Sequence, residues 1–205
     1  MKIVKTTHRL GVVVAFLLGS LLALSTNADD DNSIHPIYLT DADLPEIKKL
    51  VSSGADVNAK IGSGGTALHH LVMTSAQMGM DGLLIKNKKI IRPGQWQATG
   101  HLAVAKYLVE SGANIEAVDG SGMTPLHVAA LTGHQDAAKY FLSLGAAVNA
   151  KDANGHSPLY WAKWSATDKA IKELAVATGT RINPNGVKRR AAKVIEALEA
   201  AGAKD

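Results

Sequence analysis

The chain repeats two short phrases, and their spacing constrains its architecture more than any other feature. Gly-Thr-Ala-Leu-His at residues 65–69 returns as Met-Thr-Pro-Leu-His at 123–127 and as His-Ser-Pro-Leu-Tyr at 156–160. A second phrase places Gly-Ala after an apolar segment, and its glycines are separated by 58, 33 and 57 residues: Gly54, Gly112, Gly145 and Gly202. A unit of 33 residues, enlarged in two of its copies, predicts an array of stacked supersecondary units.

Residues 119–151 contain the start and stop signals of two short helices. Thr124 is placed to cap the first helix, and Pro125 follows at the first helical position, where its missing N–H costs nothing. Gly133 is expected to end this helix, and Gly145 is expected to end the second in the left-handed conformation. Since only 4% of residues are aromatic and 46% are apolar, the core should consist of small, closely packed side chains.

The phrase Asp-Gly-Ser-Gly-Met-Thr-Pro-Leu-His-Val-Ala-Ala-Leu-Thr-Gly-His, which begins at Asp119, closely resembles an ankyrin repeat. The resemblance covers residues 37–205 and implies an all-α solenoid of four stacked helix-turn-helix units with β-hairpin fingers. The expected units are 37–59, 60–118, 119–151 and 152–205. The extra residues are expected as insertions between the first and second helices, at about 76–99 in the second unit and about 164–187 in the fourth.

The N-terminus has the layout of a secretory signal peptide. Lys2, Lys5 and Arg9 precede fifteen residues without a charge, and small residues follow up to Ala28. The apolar run is shorter than the roughly 18 residues that an uncleaved membrane anchor needs. We therefore expect cleavage of residues 1–28 near Ala28, an acidic segment over 29–36, and a periplasmic location.

The net charge of +4 comes mostly from this leader. Without its three basic residues, 19 basic side chains oppose 18 acidic ones. An exported protein meets no chromosomal DNA, so a nucleic-acid partner is not expected. Segment 163–193 nevertheless has eight basic residues against two acidic ones, which leaves a membrane surface or an envelope polymer as an alternative partner.

The sequence contains no pattern that indicates catalysis or metal binding. The absence of cysteine excludes disulfides, thiolate zinc sites and thiol nucleophiles. His69 and His127 occupy equivalent positions of adjacent units, about 10 Å apart, whereas two ligands of one zinc ion lie within roughly 4 Å of each other. Nucleophile-elbow, phosphate-loop and zinc-protease motifs are also missing from the sequence. We therefore expect a protein that is not an enzyme and has no catalytic residue, metal site or cofactor.

The resemblance implies binding of another protein along a concave surface of finger tips and first helices. Trp96, beside a basic stretch of the first insertion, is added as an adaptable contact. For the aromatic residues of the fourth unit, packing under the second insertion is the alternative. The candidate partner-binding residues are Lys60, Ile61, Ser63, Trp96, Val118, Ser121, Met123, Leu131, Thr132, Lys151, Asn154, His156, Tyr160, Trp161 and Trp164.

Small exported bacterial ankyrin proteins of this kind resemble two functional groups. One comprises immunity proteins that neutralise a toxic secreted hydrolase, and the other comprises accessory factors of an oxidative-stress enzyme in the envelope. We expect a monomer that binds such a partner protein. The alternative is a peripheral membrane or envelope-polymer binder that uses residues 163–193.

Overall fold

The computed structural model describes residues 44–60, 64–79, 84–86, 89–91, 99–178 and 182–204. This part of the chain contains eight helices and one two-stranded hairpin. They are α1 (Leu44–Ser52), α2 (Ala67–Gly79), β1 (Leu84–Lys86), β2 (Lys89–Ile91), α3 (Thr99–Glu110), α4 (Pro125–Thr132), α5 (Gln135–Ser143), α6 (Pro158–Ser165), α7 (Asp168–Thr178) and α8 (Pro184–Ala200). The predicted helical solenoid is confirmed.

The helices form two rows along the stack. In the first row α2 packs on α4 and α4 packs on α6, so these are the first helices of the second, third and fourth units. In the second row α1 contacts α3 and α5 contacts α8. Each unit is completed by contact between its two helices, such as α4 with α5 and α6 with α8. Because every unit buries its apolar face against its neighbours, the stack is stable only as a whole.

The core between the two rows is built mainly from small and aliphatic side chains. Ala129, Ala130 and Ala162 are fully buried, which lets neighbouring helices approach closely. Phe141 and Trp161 are the largest side chains in this core. The low aromatic content therefore agrees with a core in which two large rings pack among small side chains.

The local signals of the third unit act as the sequence predicts. The hydroxyl of Thr124 accepts from the backbone N–H of His127, and the ring of His127 accepts from the backbone N–H of Thr124, so two free donors are satisfied. Pro125 opens the helix, and Gly133 ends it with φ 71°. Ser157 caps α6 by accepting from the backbone N–H of Tyr160, and Pro158 opens that helix.

The fingers of the third and fourth units are tight turns, and the described strand pair lies elsewhere. In the third unit the N–H of Asp119 donates to the carbonyl of Met123 (3.0 Å), which closes a five-residue loop that is too short for a ladder. The paired strands in the described part of the chain are β1 and β2, which are antiparallel with Leu84 opposite Ile91. This hairpin lies within the range expected for the first insertion.

The second insertion contributes helix α7, which contacts both α6 and α8. Helix α2 continues to Gly79, so it includes the first residues of the range expected for the first insertion. Helix α8 starts at Pro184, inside the range expected for the second. Among the helices described, none combines the length and the apolar character needed to span a bilayer.

Two asparagines that the sequence analysis did not single out connect adjacent units. The side chain of Asn58 donates to the carbonyl of Gly112 (2.9 Å) and accepts from the N–H of Asn114 (2.7 Å). Asn149 makes the same pair of contacts with Gly202 and Lys204 at the end of the stack. Each asparagine thus satisfies backbone groups of the following unit.

The contact between neighbouring fingers predicts a difference between two equivalent glycines. Gly122 and Gly155 take the same finger position in adjacent units, with φ 75° and 78°. A Cβ at Gly122 would lie 2.6 Å from the backbone nitrogen of Ala153, whereas nothing lies within 4 Å of one at Gly155.

In the Gly122→Ala and Gly155→Ala variants the alanine must take the left-handed conformation, which costs about 1–2 kcal/mol in each. We expect Gly122→Ala to lose about 1–3 kcal/mol more in the free energy of unfolding, because the next finger must move. Urea denaturation of both variants measures this difference, and equal losses would contradict the close packing of the fingers.

Candidate protein-binding face

The finger tips and the first helices form one side of the stack, which we call the finger face. It comprises residues 60, 64–73, 118–132 and 151–165 of the described chain. Equivalent positions of successive units form rows across this face. One row, which we call the finger row, comprises Lys60, Val118 and Lys151. Each lies six residues before the N-cap of a first helix, and all three are exposed.

Two histidines beneath the finger face hold adjacent units together. The Nδ1 atom of His69 accepts from the backbone N–H of Thr66 (3.1 Å), so the proton is on Nε2, which donates to the carbonyl of Met123 in the next unit (2.9 Å). His127 repeats this arrangement with Thr124 and the carbonyl of His156 (3.2 Å). Burial lowers the pKa of His69 to about 4 and also lowers the pKa of His127, so both rings are neutral at pH 7.

These histidines are therefore structural, since each joins its own unit to the next one. The described residues contain no group of three or more histidine or acidic side chains that could hold a metal ion.

Two buried aspartates hold the fingers in shape. Oδ1 of Asp119 accepts from the N–H groups of Ser121 and Met123 at 2.8 and 2.9 Å. Oδ1 of Asp152 accepts equivalent bonds from Asn154 and His156, both at 2.9 Å. These carboxylates are occupied with their own loops and are not accessible to a partner.

The second oxygen of each carboxylate distinguishes the two units. Oδ2 of Asp152 accepts from Nε1 of Trp161 at 2.9 Å. In the third unit Val128 takes the position of the tryptophan, and Oδ2 of Asp119 is buried with no hydrogen-bond partner in the described structure. Burial raises the pKa of Asp119, while its loop N–H groups and the charge of nearby Lys60 oppose the rise.

Two of the predicted partner-binding residues are buried, and these predictions are wrong. Met123 is 0% exposed because its side chain belongs to the hydrophobic core. Trp161 is 2% exposed because its indole ring is part of the core and its N–H is bound to Asp152. Neither side chain can contact a partner unless the unit unfolds.

The other aromatic residues of the fourth unit form a partly exposed cluster. The rings of His156 and Tyr160 stack, with centroids 3.9 Å apart and planes 11° apart. Trp164 lies edge-on against Trp161, with centroids 5.5 Å apart. His156, Tyr160 and Trp164 are half-buried, so each keeps some surface for a contact. We call these three side chains the aromatic cluster.

The remaining predicted residues divide by exposure. Asn154 is exposed like the three residues of the finger row, and Ser121, Leu131 and Thr132 are half-buried. The hydroxyl of Thr132 donates to the carbonyl of Val128 (2.7 Å), so it is already satisfied within its own helix. Ile61, Ser63 and Trp96 lie outside the described residues.

Lys163 is a surface residue of α6 that the sequence analysis assigned only to the basic segment 163–193. It lies on α6 next to Trp164 and is exposed. Counting from the N-caps makes it equivalent to Ala130 of the third unit, which is 0% exposed, so its exposure is seen only in the structure.

Comparison with known proteins identifies the repeats. The family described as "Ankyrin repeats (3 copies)" matches residues 95–185. The chain folds as an ankyrin-repeat solenoid. An ankyrin repeat protein of fowlpox virus (strain NVSL) is 36% identical over 87 residues, which cover 39% of this chain and 61% of the viral protein. The match therefore spans less than two thirds of that relative's length.

Ankyrin repeats typically serve as non-enzymatic scaffolds that bind other proteins. In this ankyrin solenoid the finger face carries the exposed lysines and the aromatic cluster, whereas the polar groups beneath it are used to join the units. The arrangement can therefore form contacts with a partner without breaking the bonds that hold the stack together.

Proposed function

We propose that this ankyrin solenoid is an exported protein-binding module whose finger face contacts a partner protein in the periplasm. The observation that carries the proposal is the aromatic cluster on the finger face. Tyrosine and tryptophan are the residue types that most often dominate the free energy of binding at protein interfaces. Here they are half-buried on a rigid helix, which reduces the entropy that binding costs.

The two roles that fit such a module are inhibition and support. As an immunity protein, the chain would cover the active site of a toxic secreted hydrolase. As an accessory factor, it would bind and support an oxidative-stress enzyme of the envelope. Both roles require a stable complex with one partner, and the leader-like N-terminus over residues 1–28 supports the compartment in both cases.

Binding of a membrane surface or an envelope polymer by residues 163–193 has weaker support. Nζ of Lys188 lies 2.7 Å from Oδ1 of Asp168, and Lys169 lies 3.9 Å from Glu173, so part of the positive charge is compensated locally. Lys172 is exposed on α7, and Arg189 and Lys193 are exposed on α8. A dispersed charge of this kind attracts anionic surfaces only weakly at physiological salt.

Affinity capture with the full chain tests the proposal. The chain is expressed in its own compartment, and the proteins retained at about 0.5 M salt are identified by mass spectrometry, because screening removes purely electrostatic surface binding. The double variant Tyr160→Ala/Trp164→Ala should lose a stoichiometric partner. The matched control is Leu144→Ala, which removes an apolar side chain that is 41% exposed at the end of α5, outside the finger face.

Loss of the partner in the double variant alone, with an unchanged circular dichroism spectrum, supports the proposed face. Equal retention by both variants would show that the finger face is not the interface. Recovery of anionic lipid or polymer alone, released by salt, would indicate that residues 163–193 are the binding site.

A further inference from the structure

The two sides of the solenoid differ in the sign of their exposed charges. Along the finger tips that the structure describes, both exposed ionisable side chains are lysines, Lys60 and Lys151. The second-helix row is mixed, since Lys106 and Glu110 are exposed on α3 and Asp136 and Lys139 on α5. The positive character is therefore a property of the finger face and not of the whole surface.

The acidic residues of the finger face do not present a negative surface to a partner. Asp119 and Asp152 are buried, and each carboxylate accepts two hydrogen bonds from the N–H groups of its own finger. A partner approaching this face thus meets lysine ammonium groups first. Such an arrangement is complementary to carboxylates and steers them during the encounter.

The finger row has a defined spacing. Lys60 and Lys151 occupy the same position two units apart, and packed helices are about 8–10 Å apart, so the two positions are separated by roughly 20 Å. Val118, which is 43% exposed, lies between them in the third unit. An extended peptide advances about 3.3 Å per residue and covers this distance in about six residues.

We propose that the finger face binds an extended acidic segment of the partner protein, with two carboxylates about six residues apart at Lys60 and Lys151 and an apolar side chain against Val118. The inference rests on the proposed protein-binding function and specifies the chemistry of the partner. The aromatic cluster, which belongs to the same unit as Lys151, provides the site for a further apolar side chain of the same segment.

A peptide fits this face better than a phosphate polymer does. A nucleic acid or an anionic membrane is recognised by closely repeated positive charges, with arginine prominent among them. In the described finger face the row is interrupted by a valine and contains no arginine. Carboxylates separated by apolar residues match this alternation.

Peptide selection on the full chain tests the inference. A library of random twelve-residue peptides is displayed on phage and selected at about 50 mM salt, where exposed charges are least screened. The selected sequences should be enriched in aspartate and glutamate with an apolar residue between them. Synthetic copies of the selected peptides, and copies with every acid replaced by its amide, are then measured by fluorescence polarisation.

Two charge-reversal variants provide the matched comparison. Lys60→Glu/Lys151→Glu should weaken binding of the acidic peptides by tenfold or more, because two attractive contacts become repulsive. Lys106→Glu/Lys139→Glu makes the same change in net charge on the second-helix row and should leave binding within about twofold. The amide copies should bind the unchanged chain as weakly as the acidic peptides bind Lys60→Glu/Lys151→Glu.

Each other outcome overturns the inference. Peptides without acidic enrichment, or acidic peptides that bind both variants equally, would show that the lysines do not select the partner. Binding of phosphatidylglycerol vesicles or a 20-nucleotide DNA strand at the finger row, with no acidic peptide selected, would assign the row to an anionic polymer or membrane.

The same measurements separate this inference from the proposed function. In one outcome, Tyr160→Ala/Trp164→Ala abolishes binding of the captured protein and of the selected peptides, and Lys60→Glu/Lys151→Glu weakens neither. The protein-binding function then stands and the acidic preference fails. If neither variant changes binding, the finger face is not the interface and both fail.

Discussion

Trp161→Ala is expected to lower the free energy of unfolding by about 3–5 kcal/mol, the range typical for removal of a buried aromatic side chain. The indole ring is 2% exposed and belongs to the core between the two helix rows. Its removal leaves a cavity and also removes the donor to Oδ2 of Asp152. A loss of this size is a large part of the stability of a small domain, so part of the chain could be unfolded at 37 °C.

Two further variants separate the causes of this loss. Trp161→Phe keeps most of the ring but removes Nε1, and it should cost about 1–3 kcal/mol because the Asp152 carboxylate loses a buried partner. Trp164→Ala, three residues along the same helix, should cost less than Trp161→Ala because Trp164 is half-buried. Urea denaturation followed by circular dichroism measures all three. Equal losses at positions 161 and 164 would contradict the assignment of one ring to the core and the other to the surface.

The solenoid is expected to lose stability as the pH falls below about 6.5. His69 is 1% exposed, and its folded pKa is lowered to about 4 by burial. Between about pH 6.5 and pH 4, the unfolded chain, whose histidine pKa is near 6.5, therefore binds a proton at this ring that the folded chain does not bind. The stability present above pH 6.5 is lost as the pH falls towards 4, and His69 alone should account for about 2 kcal/mol by pH 5 and about 3 kcal/mol at lower pH.

Other groups add to this effect or oppose it. Burial also lowers the pKa of His127 and His134, so both contribute loss in the same direction. Burial raises the pKa of Asp119, and protonation of this carboxyl recovers some stability as the pH falls. The free energy of unfolding should still fall with the pH, because three histidines lower it and one carboxyl raises it.

Urea denaturation at pH 7.5, 6.0 and 5.0 measures the pH dependence, and NMR titration of the ring protons assigns it to His69. His69→Asn removes the titrating ring, so this variant should be less stable at pH 7.5 but should depend less on pH. A wild-type stability that is constant between pH 7.5 and 5.0, or a His69 ring that titrates near 6.5, would contradict the prediction.

Some parts of the structure follow from local sequence alone. Thr124 and Pro125 start a helix because a capping hydroxyl and a missing N–H act within three residues, and Gly133 ends it because a glycine reaches positive φ without strain. The 33-residue period then fixes the stacking of such helices in rows. The fingers were expected as β-hairpins, but a loop of five residues closes as a tight turn.

The candidate site was less accessible to sequence reasoning. The resemblance to ankyrin repeats implied that Lys60, Lys151 and the aromatic cluster lie on the finger face, but it also placed Met123 and Trp161 there. The resemblance could not show that Asp152 binds an indole N–H while Asp119 leaves one oxygen without a partner among the described residues. That difference arises from a tryptophan at one position and a valine at the equivalent position of the adjacent unit.

The sequence by itself determined the repeat period, the start and end of the third unit's helices and the type of solenoid, because these depend on interactions within a few residues and on their recurrence. Only the tertiary structure decided which side chains are available to a partner. Exposure depends on how closely the next unit approaches, and that distance is set by side chains about 33 residues away in the chain. In the tertiary structure Trp161 is part of the core, whereas Trp164, on the same helix, keeps a surface for binding.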